Sequence, residues 1–139
     1  MNVLDHYLRA FASLNRGVGA KYTERPATKG RAPHKPLLLL AILDLAAEGS
    51  LTTNLVTLTP ELGELFEIYW SLVMSPDDHT TIAMPFFHLS SEGFWHLLPR
   101  PGQTSFIGQA RYSPGLGQLQ NEVLGARLDD ELYGLVANP

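Results

Sequence analysis

Pro36-Leu37-Leu38-Leu39-Leu40-Ala41-Ile42-Leu43-Asp44-Leu45-Ala46-Ala47 is the stretch on which the fold turns. Proline suits a first helical position, where its missing N–H costs nothing. Glu48-Gly49 then ends the helix, with glycine just past the last turn. Residues 37–43 are apolar on every face, so this helix is expected to be central and buried on most sides. The apolar run is far too short to span a bilayer.

Working outward, residues 3–14 repeat Val3, Leu4, Tyr7, Leu8, Phe11 and Leu14 at helical spacing. Residues 15–32 are basic, contain three glycines and a proline, and have no period, which reads as a loop of functional length. Residues 50–58 suggest a strand edge. Thr59-Pro60-Glu61 opens a further helix with a cap, a proline and an acid in the favoured order, carrying Leu62, Leu65, Phe66, Tyr69 and Leu72 on one face. Residues 81–89 and 94–98 read as two strands joined through Ser90-Ser91-Glu92-Gly93 as a hairpin. Residues 106–112 suggest a third strand. Residues 119–136 carry a weaker helical pattern, with Asp129 or Asp130 as the cap of a last short helix. The expected fold is α/β of the α+β kind: a small antiparallel sheet or hairpin packed against several helices, in a single domain over residues 1–139. The chain stops at Ala137-Asn138-Pro139, directly after a helical pattern. The expectation is therefore a domain cut from, or fused to, a longer protein.

The chain lacks cysteine, which excludes disulfides and thiolate metal sites and fits a reducing, cytoplasmic setting. No secretion signal opens it. Net charge is −4, yet the charges are segregated. Residues 1–36 hold seven basic residues against two acids, the rest hold three against twelve, and no lysine follows Lys35. A small acidic protein that gathers its positive charge in one segment has a directional field.

Positive signs of catalysis are missing. Clustered acids with a lysine, as nuclease chemistry needs, do not occur. Asp77-Asp78-His79 is the one dense acidic and histidine patch, and it reads as a solvated turn. His88 and His96 are too few for zinc. No phosphate loop or dinucleotide fingerprint is present, so neither a cofactor nor a metal is expected.

What remains is binding chemistry. A helix N-terminus presents free N–H groups and a partial positive charge. Arg31, His34 and Lys35 precede or open such a helix. Arginine can fork onto two phosphate oxygens, lysine supplies a point charge, and His34 stands where a cap would stand. A second segment, Ala83-Met84-Pro85-Phe86-Phe87-His88-Leu89, reads as an edge strand because it contains proline. Its Met, Pro and Phe side chains offer soft apolar surface. Alternation puts Phe86 or Phe87 inward, and Trp95 across the hairpin reads as structural.

With these segments placed, the chain resembles the sulfur-binding domain of phosphorothioate-dependent, McrA-like type IV restriction endonucleases. In those proteins such a domain is typically joined to an HNH nuclease domain. The resemblance covers most of the chain. It runs through Arg31-Ala-Pro-His-Lys-Pro-Leu-Leu-Leu-Leu40, Phe66-Glu-Ile-Tyr-Trp70, Met84-Pro-Phe-Phe-His-Leu89 and Gly93-Phe-Trp-His-Leu97. It implies recognition of double-stranded DNA in which sulfur replaces a non-bridging phosphate oxygen. Met84, Pro85 and His88 would then form the sulfur pocket. Arg31, His34, Lys35 and Arg111 would hold phosphate, with Arg25 and Lys29 as further DNA contacts. Met84 and His88 stand where the resemblance calls for an aromatic and a small residue.

Three readings stay open from the residues themselves: a reader of modified DNA, a general nucleic-acid binder, and a protein-interaction domain. A homodimer and a fused nuclease domain are both compatible with the first.

Overall fold

The computed structural model describes residues 2–14, 32–102 and 114–137. The expected strand at 106–112 lies outside them, as do Arg25, Lys29, Arg31 and Arg111.

Helix α1, Val3–Ala12, begins at Asn2, whose Oδ1 accepts the Asp5 N–H at 2.7 Å. Helix α2, His34–Ala47, is the central helix. It starts two residues before the expected Pro36, with Pro33 at the cap position and no side-chain cap. Pro36 is tolerated at the third position because that N–H would also have lacked a partner within the helix. The first bond closing the helix runs from the Leu37 N–H to the Pro33 carbonyl at 3.1 Å. Leu38, Ala41 and Ile42 are fully buried, while Leu40 and Leu43 remain exposed. Helix α3, Pro60–Val73, opens as its sequence predicts, with Thr59 Oγ1 accepting the Leu62 N–H at 3.2 Å.

The expected strand over 81–89 is a helix. Helix α4 spans Ala83–His88 and runs into a 3-10 turn over Leu89–Glu92. Pro85 is again at the third helical position, and Thr81 Oγ1 accepts the Ala83 N–H at 2.9 Å. A short apolar run gives no periodicity to separate strand from helix. Here the proline belongs to a helix start, so both Phe86 and Phe87 turn inward rather than one of them. Gly93, at φ +90°, ends the 3-10 turn and leads into strand β1, Trp95–Pro99.

The partner of β1 is not the preceding segment but a strand within the expected C-terminal helix. Residues 119–136 divide into helix α5, Leu116–Glu122, strand β2, Val123–Leu128, and helix α6, Asp130–Ala137. Strands β1 and β2 pair antiparallel, Trp95 opposite Leu128 and His96 opposite Arg127, with a bulge at Leu98/Pro99. The segment at 50–58 gives only an edge contact. Val56 exchanges two 2.8 Å backbone bonds with Ala126. The Asn54 carboxamide mimics a strand residue, bonding the Leu128 N–H and carbonyl at 2.9 and 2.8 Å. Among the described residues the architecture is thus six α-helices and a two-stranded antiparallel sheet, the α+β class expected. Helix α2 packs against α3, α4 and α6, and one apolar cluster joins all three to the sheet. None of the described helices is long and apolar enough to cross a membrane.

Candidate nucleic-acid interface

Two segments fifty residues apart in sequence meet in space. The start of α2 supplies His34 and Lys35, and α4 with its 3-10 extension supplies Met84, Pro85, His88, Ser91 and Glu92. Helix packing brings them together, because α2 is apolar enough to be covered on the α4 side.

His34 is buried, its ring 4.7 Å from that of Trp70 on α3. The Trp70 indole in turn donates to the Asp78 carbonyl at 3.0 Å, fixing the loop before α4. Lys35 is also buried. Its ammonium forms an ion pair with the Glu92 carboxylate and lies 3.4 Å from Ser91 Oγ. A lysine reaches the interior only when paired, and here the pair ties the α2 start to the turn after α4. Ser91 Oγ also donates to the His88 carbonyl at 3.0 Å.

Met84 and His88 stand four residues apart on α4, hence on one helical face. Met84 is 36% exposed, His88 is half-buried, and Pro85 between them is buried. Burial, and after it the positive charge of Lys35, holds the His88 imidazole below its ordinary pKa. At neutral pH His88 therefore presents an uncharged ring beside a cation. The accessible part of the expected sulfur set is thus a thioether and a neutral imidazole, with the proline beneath them.

Sequence alone does not identify Glu92, Ser91 and Trp70 as neighbours of these residues. In the sequence Glu92 reads as part of a hairpin turn, and only the helical turn after α4 carries it back to Lys35. Equally hidden is a polar cluster on the far side of the sheet. Tyr7 Oη donates to Asp129 Oδ2 at 2.8 Å, and His96 Nε2 lies 2.6 Å from Asp129 Oδ1. A cleft of about 310 Å³ lies over it, lined also by Arg127, Asp130 and Glu131. Burial, and then Asp129, push the Tyr7 hydroxyl up to about 12. Burial acts to raise Asp129, but hydrogen bonds from His96 and Tyr7 outweigh it and keep the carboxyl below its ordinary value. Of the patch at 77–79, Asp77 and His79 are exposed, as a solvated turn should be. Among the described residues no group of three histidine, cysteine or acidic side chains is placed to hold a metal ion.

A family model described as the ScoMcrA-like DNA sulfur-binding domain matches residues 13–136. Among solved structures, the chain is similar to the sulfur-binding domain of SprMcrA complexed with phosphorothioated DNA. The identity is 16%, the match covers 99% of this chain and 77% of that one, and the TM-score is 0.63. At that identity the likeness speaks for the fold. No curated protein matches.

Proposed function

The chain belongs to the ScoMcrA-like family of DNA sulfur-binding domains, and from that premise we propose that it reads a DNA backbone in which sulfur replaces one non-bridging phosphate oxygen. The observation that carries the reading is the meeting of the Lys35-bearing start of α2 with a partly exposed thioether on α4. The Lys35 ammonium lies 3.4 Å from Ser91 Oγ, which donates to the His88 carbonyl at 3.0 Å, and Met84 shares the helical face of His88. The SprMcrA domain, whose fold the chain shares, was solved with phosphorothioated DNA, which supports the same ligand class here.

In this reading the sulfur rests on Met84, Pro85 and His88. His34, Lys35, Arg31 and Arg111 hold phosphate oxygens, and Arg25 and Lys29 reach neighbouring parts of the duplex. Sulfur is larger, softer and more weakly hydrated than oxygen. An ordinary phosphate oxygen pressed onto Met84 would lose water without gaining a hydrogen bond. Sulfur loses less and gains dispersion contact with the methionine sulfur. Discrimination then comes as much from the penalty on oxygen as from attraction to sulfur. The cations supply affinity that falls with salt and is blind to the substitution. The chain's part is binding alone, and any cleavage belongs to a nuclease domain fused to it.

The test is a gel-shift titration of one duplex with and without a single phosphorothioate linkage. The modified duplex is expected to bind more tightly at every salt concentration. Equal binding of the two removes the sulfur reading and leaves a general DNA-binding module. Binding to neither, with concentration-dependent mass in sedimentation, favours a protein-interaction domain.

A further inference from the structure

Lys35 is not waiting for DNA with a bare charge: its ammonium is already held by Glu92, in a pair whose side chains are 9% and 11% exposed. We propose that Glu92 is an affinity-setting residue, a built-in carboxylate that competes with the DNA phosphate for Lys35. The inference rests on the phosphate-contact reading of Lys35. Glu92 closes the 3-10 turn that grows directly out of α4, so it lies at the border of the surface assigned to the sulfur.

The physical consequence follows from charge. A phosphate diester and its phosphorothioate analogue each carry one negative charge. Either one, on approaching Lys35, meets an ammonium already neutralised and a carboxylate that repels it. A like-charge contact across an interface weakens binding and acts on partner choice. His88 offers no compensating charge, because burial holds its imidazole below the ordinary pKa. The penalty is therefore the same for oxygen and sulfur. Glu92 lowers affinity for all DNA and leaves the sulfur-to-oxygen ratio to Met84 and its neighbours. Ordinary DNA, which lacks the sulfur contact, is then held below the affinity at which it would occupy the site.

The experiment compares the wild-type chain with Glu92→Gln on matched duplexes with and without one phosphorothioate, over a range of salt concentrations. Circular dichroism checks that the variant is folded. Removing the carboxylate is expected to tighten both duplexes by about tenfold. It should steepen the salt dependence by about one unit of slope and leave the ratio between the duplexes within about twofold. A folded variant that binds both duplexes no better than wild type overturns the proposal, as does one in which only the ratio collapses. If the wild type itself shows no sulfur preference, the sulfur reading falls. The tightening on plain DNA then still decides the role of Glu92. Should the variant not fold, the wild type decides. On titration with the modified duplex, the side-chain carboxyl carbon resonance of Glu92 is expected to move as Lys35 is drawn to phosphate, and an unmoved resonance overturns the proposal.

Discussion

The Trp95 indole N–H donates to the Phe86 carbonyl at 2.7 Å, and the two rings meet edge to face with centroids 5.0 Å apart. This one pair fastens strand β1 to the middle of α4, between Pro85 and Phe87 and two residues from Met84. Both side chains are essentially inaccessible, so the bond is made in a dry setting where its loss is felt.

Trp95→Phe removes that hydrogen bond and part of the ring volume. The expected loss is about 2–3 kcal/mol, from a lost hydrogen bond and an imperfectly refilled space. Urea unfolding followed by circular dichroism measures it. A midpoint equal to that of wild type would mean that β1 does not hold α4 in place.

Gly125 tests the edge of the sheet. A Cβ built there would stand 2.3 Å from the Val56 carbonyl oxygen, a backbone atom that cannot step aside alone. Gly125→Ala must therefore part Val56 from Ala126 and is expected to cost about 3 kcal/mol, at the upper end for overpacking. Gly93 is the control, because a Cβ there meets open space and only its φ of +90° matters. Gly93→Ala should cost about 1 kcal/mol. Thermal melts of the two variants should fall in that order.

These residues also show what the sequence could and could not reveal. Helices α1, α2 and α3 are legible because each carries a long pattern with caps or stops of its own. Segment 81–89 is not: a run of Ile, Ala, Met, Pro, Phe and Phe has no polar residue to mark a period, and its proline reads as an edge-strand feature. Strand β2 is hidden because Leu124, Leu128, Leu132 and Leu135 are spaced so as to imitate a continuous helix. The glycine at position 125 is explained only by Val56, sixty-nine positions earlier. In the candidate site, His34, Lys35, Met84, Pro85 and His88 are legible through residue type and family resemblance. Glu92 is not, because its role depends on an ion pair across fifty-seven positions. Asp129 reads as a helix cap. Nothing local announces that it also joins Tyr7 to His96.

The Tyr7–Asp129–His96 cluster sets a pH dependence of stability. Asp129 has a folded pKa below its ordinary 3.8. Its contribution is therefore present above that value and lost as pH falls through the folded one. Tyr7 is shifted the other way, from 10.0 up to about 12. Its contribution is whole below pH 10 and lost as pH rises toward 12. The alkaline part amounts to roughly 1–2 kcal/mol, because a tenfold change in proton affinity is worth about 1.4 kcal/mol and solvent in the cleft screens part of it. Denaturant titrations across pH should show wild-type stability dropping between pH 10 and 12 and Tyr7→Phe dropping less. Parallel curves for the two proteins would refute the assignment. Asp129→Asn should flatten the acid limb in the same way.

Met84 separates recognition from folding, because it is the exposed member of the sulfur set. Met84→Ala removes a side chain that is already partly open to water in the free chain, so unfolding should change by no more than about 1 kcal/mol. In the complex the same side chain would shed on the order of 40 Å² of apolar surface against the sulfur, worth about 1 kcal/mol. That corresponds to roughly a fivefold loss of preference for the phosphorothioate duplex, since about 1.4 kcal/mol is tenfold in affinity. Met84→Gln sharpens the point. It keeps the length of the side chain but replaces the soft end with a hydrogen-bonding amide. An ordinary phosphate oxygen then gains a partner that Met84 denies it, so plain DNA should bind more tightly while the modified duplex weakens. Fluorescence anisotropy with both duplexes reads the two changes separately. If Met84→Gln shifts both affinities together, the methionine merely borders the DNA, and sulfur selection must lie with Pro85 and His88.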